Sequence, residues 1–554
     1  MPTTETVQQV DTDVDGRVAA PPTSGTPTAG TLARPTSAAV SPVIRLRSVA
    51  RRAAAFATTH RASLAVVAVL LAVSGTVHGV GMDRSPAAFD DEGTYIAQAW
   101  AVLRRGELAH YTYWYDHPPA GWLQMAAYFG LTDAFDRLPY SMQAGREFML
   151  VVHLASCCLV WLLARRCGLR RGTAALAVVL FSLSPLAVDY QRMVFLDNLA
   201  VLWILAALVF AASPRRGVGA AAAAGLCMTM AVTSKETALV LLPTVVWMLW
   251  RTADRRTRRF NLLVFTVLFV LTSAFYPLYA LVKHEFLPGE GHVSLVWSIQ
   301  WQLFSRADSG TVLDPDSGAR GLVMSWLSQD PWVLTAGCLL TPVALLVPRL
   351  RPVALAMAIQ VVLMLRGGYL PMPYVIGLLP FAALVIAGVA DVAWSHRDAM
   401  TGRLAILRHA SRAVLVAALA AVLVFVGPGW AQADRRHMTD RRVYLSQAVD
   451  WVDQNVPRGR RILVDDTLWV DLADRGFDPD RLEVIWSFKV DLDPAVRDRL
   501  TNGWRDLDYL VLKDVGDLST LPIQRAAVEN STIVATFGTG QDAMTIRKVA
   551  NGRP

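Results

Sequence analysis

The sequence predicts a polytopic α-helical membrane protein of about eleven transmembrane helices, with a small extracytoplasmic α/β domain at its C-terminus. Three observations carry this prediction. Of the 554 residues, 54% are hydrophobic and 18% charged, whereas an ordinary soluble domain carries roughly a quarter charged residues. Apolar runs near span length recur along most of the chain. The cations, which leave a formal net charge of +8, gather in alternate short connections between those runs, as the positive-inside rule requires. No basic, aromatic-rich soluble segment suggests nucleic-acid binding.

Residues 1–42, with runs such as PPTSGTPTAG, lack the apolar periodicity that could offset the entropy of ordering and read as a disordered cytoplasmic tail. Residues 43–430 hold the expected membrane domain. Its first run, Ser63–Met82, follows Arg45, Arg47, Arg51, Arg52 and Arg61 and precedes no small-residue cleavage pattern, so it reads as a retained anchor. Further runs follow at Phe148–Ala164, Thr173–Val188, Leu199–Ala212, Val218–Val232, Ala238–Trp250, Leu262–Val282, Trp332–Val347, Val353–Leu365, Tyr374–Val389 and Ala413–Trp430. Several fall short of the ~20 residues a span needs, so neighbouring polar residues are expected within the membrane thickness.

The connections carrying Arg165/Arg166/Arg170/Arg171, Arg215/Arg216, Arg251/Arg255/Arg256/Arg258/Arg259, Arg349/Arg351 and Arg397/Arg403/Arg408/Arg412 read as cytoplasmic. The N-terminus is then inside and everything after Trp430 outside. Two long outer connections result, residues 83–147 and 283–331, beside the C-terminal segment 431–554. In that segment SQAVDWVDQNVP reads as a helix, RRILVDD and DYLVLKD as strands, and TIVATFG with AMTIRKV as a closing pair. It has no glycine-rich phosphate loop and no nucleophile elbow, and a supporting or acceptor-guiding role is expected. In the first outer connection, Ile96, Ala99, Trp100 and Leu103, and then Trp122, Met125, Ala126 and Phe129, repeat at helical spacing and suit helices lying on the membrane surface. The five cysteines fall in apolar spans or cytoplasmic turns, which argues against a disulfide framework, and none has zinc-ligand spacing.

Chemistry is sought on the outer face. FDDEGTY places Asp90, Asp91 and Glu92 just beyond the first span. Adjacent carboxylates raise one another's pKa, and one so placed can serve as general base or ligand; the other reading is an acidic turn capping the helix that begins near Gly93. YDHPPAGW sets Asp116 and His117 before a diproline that fixes the chain and can open a helix. His117 suits a phosphate or hydroxyl and Asp116 a carboxylate cluster or a cation; both also suit helix capping. Arg192, Lys235 and Arg366 stand at outer ends of spans, where topology does not call for cations. Three cations converging on one cavity would suit a phosphate, while snorkelling to headgroups is the alternative. Asp197, at the head of a span, needs a partner, with Arg192 or Lys235 the candidates. His284, Glu285 and His292 match no metal motif and read as loop residues.

In order along residues 63–395, DDEGTY, DHPPAGW, QRMVFLDN, TSKETALVLLP and RGGYLPMPYVIGLLP resemble the GT-C glycosyltransferases, in particular protein O-mannosyltransferases and the aminoarabinose transferases that modify lipid A. Each motif alone is weak; their order and common face make them specific together. The resemblance implies a GT-C-like fold and a membrane glycosyltransferase, with Asp91 and Glu92 matching the family's Asp-Glu pair and Asp91 as the base for the acceptor hydroxyl. Asp116 and His117 match the dipeptide before the family's diproline. Arg192 and Asp197 match its Arg…Leu-Asp, Lys235 its lysine, and Tyr374 with Pro380 its Tyr-x5-Pro near the donor phosphate. The extra acid Asp90 departs from the pattern and leaves the choice between Asp90 and Asp91 open, and the C-terminal segment lies outside the likeness.

The implied partners are a polyprenyl-phosphate-linked sugar donor and a lipid, polysaccharide or protein acceptor. Direct displacement would invert the anomeric centre. Metal dependence varies in the family, so no cofactor is assigned and a divalent metal stays open. The alternative is a transporter or lipid flippase, which usually shows internal repeats and charges near the midplane; here no repeat is found and the charges sit at outer ends. Arginine over lysine and abundant alanine suggest a GC-rich genome and a bacterial plasma membrane.

Overall fold

The computed structural model describes residues 42–552 apart from 307, 399–423, 441–442, 514–517 and 541–542. The expected disordered tail and most of the eleventh run lie outside the described residues. The chain divides into two compact units, Met1–Arg61 and Ala62–Pro554. The first contributes the opening of helix α1 (Pro42–Gly79).

In the second unit the first outer connection supplies α2 (Asp90–Arg105) and α3 (Ala120–Thr132). Then come α4 (Ser141–Arg166), α5 (Arg171–Leu183), α6 (Pro185–Arg192), α7 (Leu196–Ala211), α8 (Val218–Ser234), α9 (Leu242–Thr252), α10 (Arg258–Ser273) and α11 (Phe275–Val282). The second outer connection forms α12 (Leu295–Gln300) and α13 (Gly318–Gln329), followed by α14 (Pro331–Leu346), α15 (Arg351–Leu365) and α16 (Tyr374–Asp398).

The first ten expected apolar runs all fall on these helices. Among the described residues, four helical stretches are long and apolar enough to cross a membrane: Thr58–Gly79, Ser141–Arg166, Arg258–Val282 and Tyr374–Ser395. Between α5 and α6 the chain bends by 60°. Pro185 cannot continue α5 and instead opens α6, while the Ser184 hydroxyl donates to the Asp330 carboxylate. Helices α7, α8, α14 and α15, of 16, 17, 16 and 15 residues, are apolar but short. On α10 and α11, Leu263, Val270, Leu271 and Phe275 are exposed, a face that only hydrocarbon or another apolar surface would cover.

After α17 (Gly427–Thr439) the chain builds α18 (Tyr444–Asn455), β1 (Ile462–Val464), α19 (Asp466–Asp474), β2 (Val484–Trp486), α20 (Lys489–Leu492), β3 (Tyr509–Leu512), α21 (Pro522–Glu529), β4 (Ser531–Phe537) and β5 (Met544–Val549). The sheet order is β2-β1-β3-β5-β4. β1 pairs in parallel with both β2 and β3, and β5 is antiparallel to β3 and β4. β1 and β2 are buried along their whole length, as suits strands covered on both faces.

The apolar faces that the sequence assigned to the membrane surface are largely buried inside the protein, and the α/β layer covers part of the α2 face. Ile96, Ala99 and Trp100 of α2 are buried, and Trp100 meets Trp469 edge to face at 5.2 Å. The Thr94 hydroxyl donates to Asp466 at 2.6 Å and the Trp100 ring nitrogen to Asp474 at 2.7 Å. Contact is closest at Gly93, where a Cβ would stand 2.3 Å from the Asp466 carbonyl carbon. Backbone cannot yield there as a side chain would. Gly93→Ala is expected to cost about 1–3 kcal/mol, read as a lower unfolding midpoint of the detergent-solubilised protein; an unchanged midpoint would contradict this contact.

Candidate active site

Successive residues of a helix point about 100° apart, so the three acids at the head of α2 cannot share one direction. Glu92 turns inward. It is fully buried and forms a bidentate pair with Arg146, Nε to Oε2 at 3.0 Å and Nη2 to Oε1 at 2.8 Å. The same carboxylate accepts the Phe89 and Val194 amides at 3.0 and 2.9 Å. Arg146 spends its remaining donor on the carbonyls of Met82 and Pro86. Such a pair ties α2 to α4 and to the turn before α7.

Asp90 faces the α/β layer. Its neighbours are Asp465 and Lys513, whose ammonium donates to the Ala88 carbonyl at 2.7 Å. Burial, reinforced by the adjacent Asp91, pushes the Asp90 carboxyl up to about 6.

Asp91 points the other way. The charges acting on it are those of Lys235 and His117, then Asp116 and Arg306. Burial lifts its carboxyl above the ordinary range even though Lys235 and His117 pull it back down.

Facing it is a chain of polar groups in which Lys235 and His117 are buried and Glu236 is partly exposed. Lys235, which ends α8, brings Nζ to 2.8 Å from His117 Nε2, and His117 Nδ1 lies 3.0 Å from Glu236 Oε2. On its other side Lys235 stands 3.9 Å from Asp197 Oδ2, in the first turn of α7. Of the two partners expected for Asp197, the structure selects Lys235. An ammonium can only donate, so Nε2 of His117 accepts, and the ring proton sits on Nδ1, aimed at Glu236. Pro118 and Pro119 follow directly, and the Tyr113 hydroxyl donates to the His117 carbonyl at 2.5 Å.

The second outer connection closes the other side. Gln302 donates to the Asp116 carbonyl at 3.3 Å and accepts from Arg306 at 2.7 Å. The Arg306 guanidinium lies 3.7 Å from the centre of the Tyr369 ring.

Arg192 and Arg366 do not join this chain. Arg192 is buried and donates to the carbonyls of Ser85, Val77 and Val80, where it caps the C-terminal end of α1. Arg366 is exposed near Tyr374, whose hydroxyl donates to the Gln360 carbonyl at 2.8 Å. The cations acting on Asp91 are thus Lys235 and Arg306. Sequence reasoning missed Glu236 and Arg306. Glu236 sits inside the quoted TSKETA run, and Arg306 ends an aromatic stretch, WSIQWQLFSR, of an outer connection where topology asks for no cation. Glu285 accepts the Tyr115 hydroxyl at 2.6 Å. Among the described residues, no group of three or more His, Cys, Asp or Glu is placed to hold a metal ion.

Residues 116–279 match the model of the dolichyl-phosphate-mannose-protein mannosyltransferase family. The structure is similar to that of ArnT from Cupriavidus metallidurans bound to undecaprenyl phosphate, with TM-score 0.51 and 18% identity, covering 89% of this chain and 98% of that one. The chain has the GT-C glycosyltransferase fold. The GT-C likeness expected from the motifs is borne out, and with it a glycosyltransferase. Two further matches are the Archaeoglobus fulgidus oligosaccharyltransferase, with TM-score 0.48, 12% identity and coverage of 86% and 74%, and the Saccharomyces cerevisiae Pmt1-Pmt2 complex bound to its sugar donor, with TM-score 0.33, 18% identity and coverage of 41% and 35%. No curated protein matches the chain. The family match begins at Asp116, so the head of α2 rests on the GT-C fold and its own geometry.

Proposed function

We propose that this GT-C protein moves a monosaccharide from a polyprenyl-phosphate donor to an acceptor hydroxyl on the extracytoplasmic face of a bacterial plasma membrane. Its membrane domain crosses about eleven times, with the N-terminus inside and residues 431–554 outside, as the arginine distribution supports. The reading is carried by one observation: a half-buried Asp91 faces the Lys235–His117–Glu236 chain, whose lysine and histidine are buried.

Direct displacement asks for two things. A base must take the hydroxyl proton as the oxygen attacks the anomeric carbon, and positive charge must meet the departing phosphate. Asp91 is the base. Lys235 and Arg306 supply the positive charge, and His117 and Glu236 hold Lys235 in place. Asp116 and Asp197 keep the ammonium charged, and Tyr374 and Arg366 belong to the approach of the donor. Direct attack inverts the anomeric centre. The test is to incubate the purified protein with a radiolabelled panel of polyprenyl-phosphate sugars and candidate acceptors. Transfer of label from at least one donor is expected; absence of transfer from every donor would overturn the proposal.

A further inference from the structure

The parallel strands β1, β2 and β3 run toward one edge of their sheet, and in open α/β sheets the crevice beyond the carboxyl ends of the strands is where ligands bind. Here that edge is filled by the first outer connection. After β1, Asp466 receives Thr94, and after β3, Lys513 donates to Ala88. After β2, Lys489 and Asp493 receive the segment 110–117, which ends in the Asp116–His117 dipeptide.

The grip on that segment is nearly complete. Asp493 accepts the Thr112 amide at 3.1 Å and its hydroxyl at 2.6 Å, and the Lys489 ammonium donates to the Thr112 carbonyl at 3.2 Å. Every polar group of Thr112 is therefore held by one ion pair, closed at 3.3 Å between side chains 4% and 0% exposed. Beside it the Tyr111 hydroxyl donates to the Val484 carbonyl at 2.9 Å and accepts from the Trp469 ring at 3.1 Å. The Lys489 ammonium also lies 3.9 Å from the centre of the Trp114 ring and 5.5 Å from that of Trp486.

Little slack separates this grip from the site. Tyr115 holds φ of 54°, a conformation a bulky residue keeps only when its surroundings fix it. Its hydroxyl is anchored on Glu285, and the diproline follows His117. We propose that Lys489 and Asp493 are positioning residues for the Asp116–His117 dipeptide, which makes the α/β layer part of the working site. The proposal rests on the glycosyltransferase reading for its catalytic consequence only.

Lys489 also makes the grip sensitive to pH. Its ammonium faces Asp493, which caps the end of its own helix, with Asp116 and His110 across in the first outer connection. Burial pushes Lys489 down to about 8, against the pull of Asp493 and Asp116. As pH rises through that value the ammonium is lost, and the ion pair with it.

The test uses the full chain in detergent or lipid, with Lys489→Met, Lys489→Arg and Asp493→Asn. In Lys489→Met and Asp493→Asn, amide hydrogen exchange over residues 108–118 is expected to rise while β1 and β3 stay protected. In Lys489→Met, kcat should fall by about 100-fold, as a displacement near 1 Å at a reacting centre does. Lys489→Arg should recover most of the rate and move the alkaline limb of the pH profile upward, since a guanidinium keeps its charge. Unchanged exchange over 108–118 in Lys489→Met and Asp493→Asn, or wild-type kinetics in Lys489→Met, would overturn the proposal. A wild type that transfers no sugar would sink the functional reading alone, because the exchange measurement still decides the grip.

Discussion

Asp91→Asn is expected to lower kcat by about 100- to 10,000-fold, the contribution typical of a positioned general base, while donor binding changes little. Asparagine keeps the shape and removes the proton acceptor. The electrostatics supply a second signature. Burial raises the Asp91 carboxyl above the ordinary range, and the cations opposite only partly reverse that. A base works ionised, so the wild-type rate should fall as pH drops through this raised pKa, and the acid limb should lie above the ~3.9 of a free aspartate. Single-turnover transfer of a radiolabelled sugar across a pH series would read both effects. Asp90→Asn is the control: Asp90 faces Asp465 and Lys513, away from the cation chain, so its loss should leave kcat within a few-fold of wild type. A large loss in Asp90→Asn with none in Asp91→Asn would exchange the two roles.

The two acids show how far the sequence could be read. Hydropathy placed the helices because burial in hydrocarbon demands long apolar runs. Motif order singled out segments that the fold brings together, and Asp91, His117, Asp197 and Lys235 do meet. What spacing could not tell was direction. Asp90, Asp91 and Glu92 are equivalent in the sequence, and only the packing of α2 between α19 and the membrane helices separates them. Arg146 escaped notice because it lies two residues before the apolar run expected to begin at Phe148, where a cation reads as a loop residue; α4 begins at Ser141 and buries it. β2 escaped because three residues carry too little periodicity to announce a strand. Arg192 shows what spacing cannot tell about a cation's partners. A buried arginine near a presumed site looks like a phosphate ligand, yet its Nη1 and Nη2 groups donate to three backbone carbonyls.

Arg146→Met should have the largest effect on stability. Removing one partner of a buried pair leaves the other charge without compensation, at a cost of about 3–5 kcal/mol. Arg146 and Glu92 are 1% and 0% exposed, so solvent cannot take the place of the lost guanidinium. Glu92 would keep only the Phe89 and Val194 amides. The unfolding midpoint in detergent measures the loss, and a midpoint like that of wild type would refute the architectural role. The double variant Arg146→Met/Glu92→Gln discriminates further. Taking away the stranded charge should restore part of the stability, so the two changes should be strongly non-additive, as residues in direct contact are. Activity then separates structure from chemistry. If Glu92 only holds the head of α2, then Glu92→Gln, where it folds, should retain a rate per folded molecule close to that of wild type, and Asp91→Asn in the same background should still abolish it. A Glu92→Gln variant that folds fully and loses activity as Asp91→Asn does would instead place Glu92 in the proton transfer itself, and the saturated pair with Arg146 would have to open during each turnover.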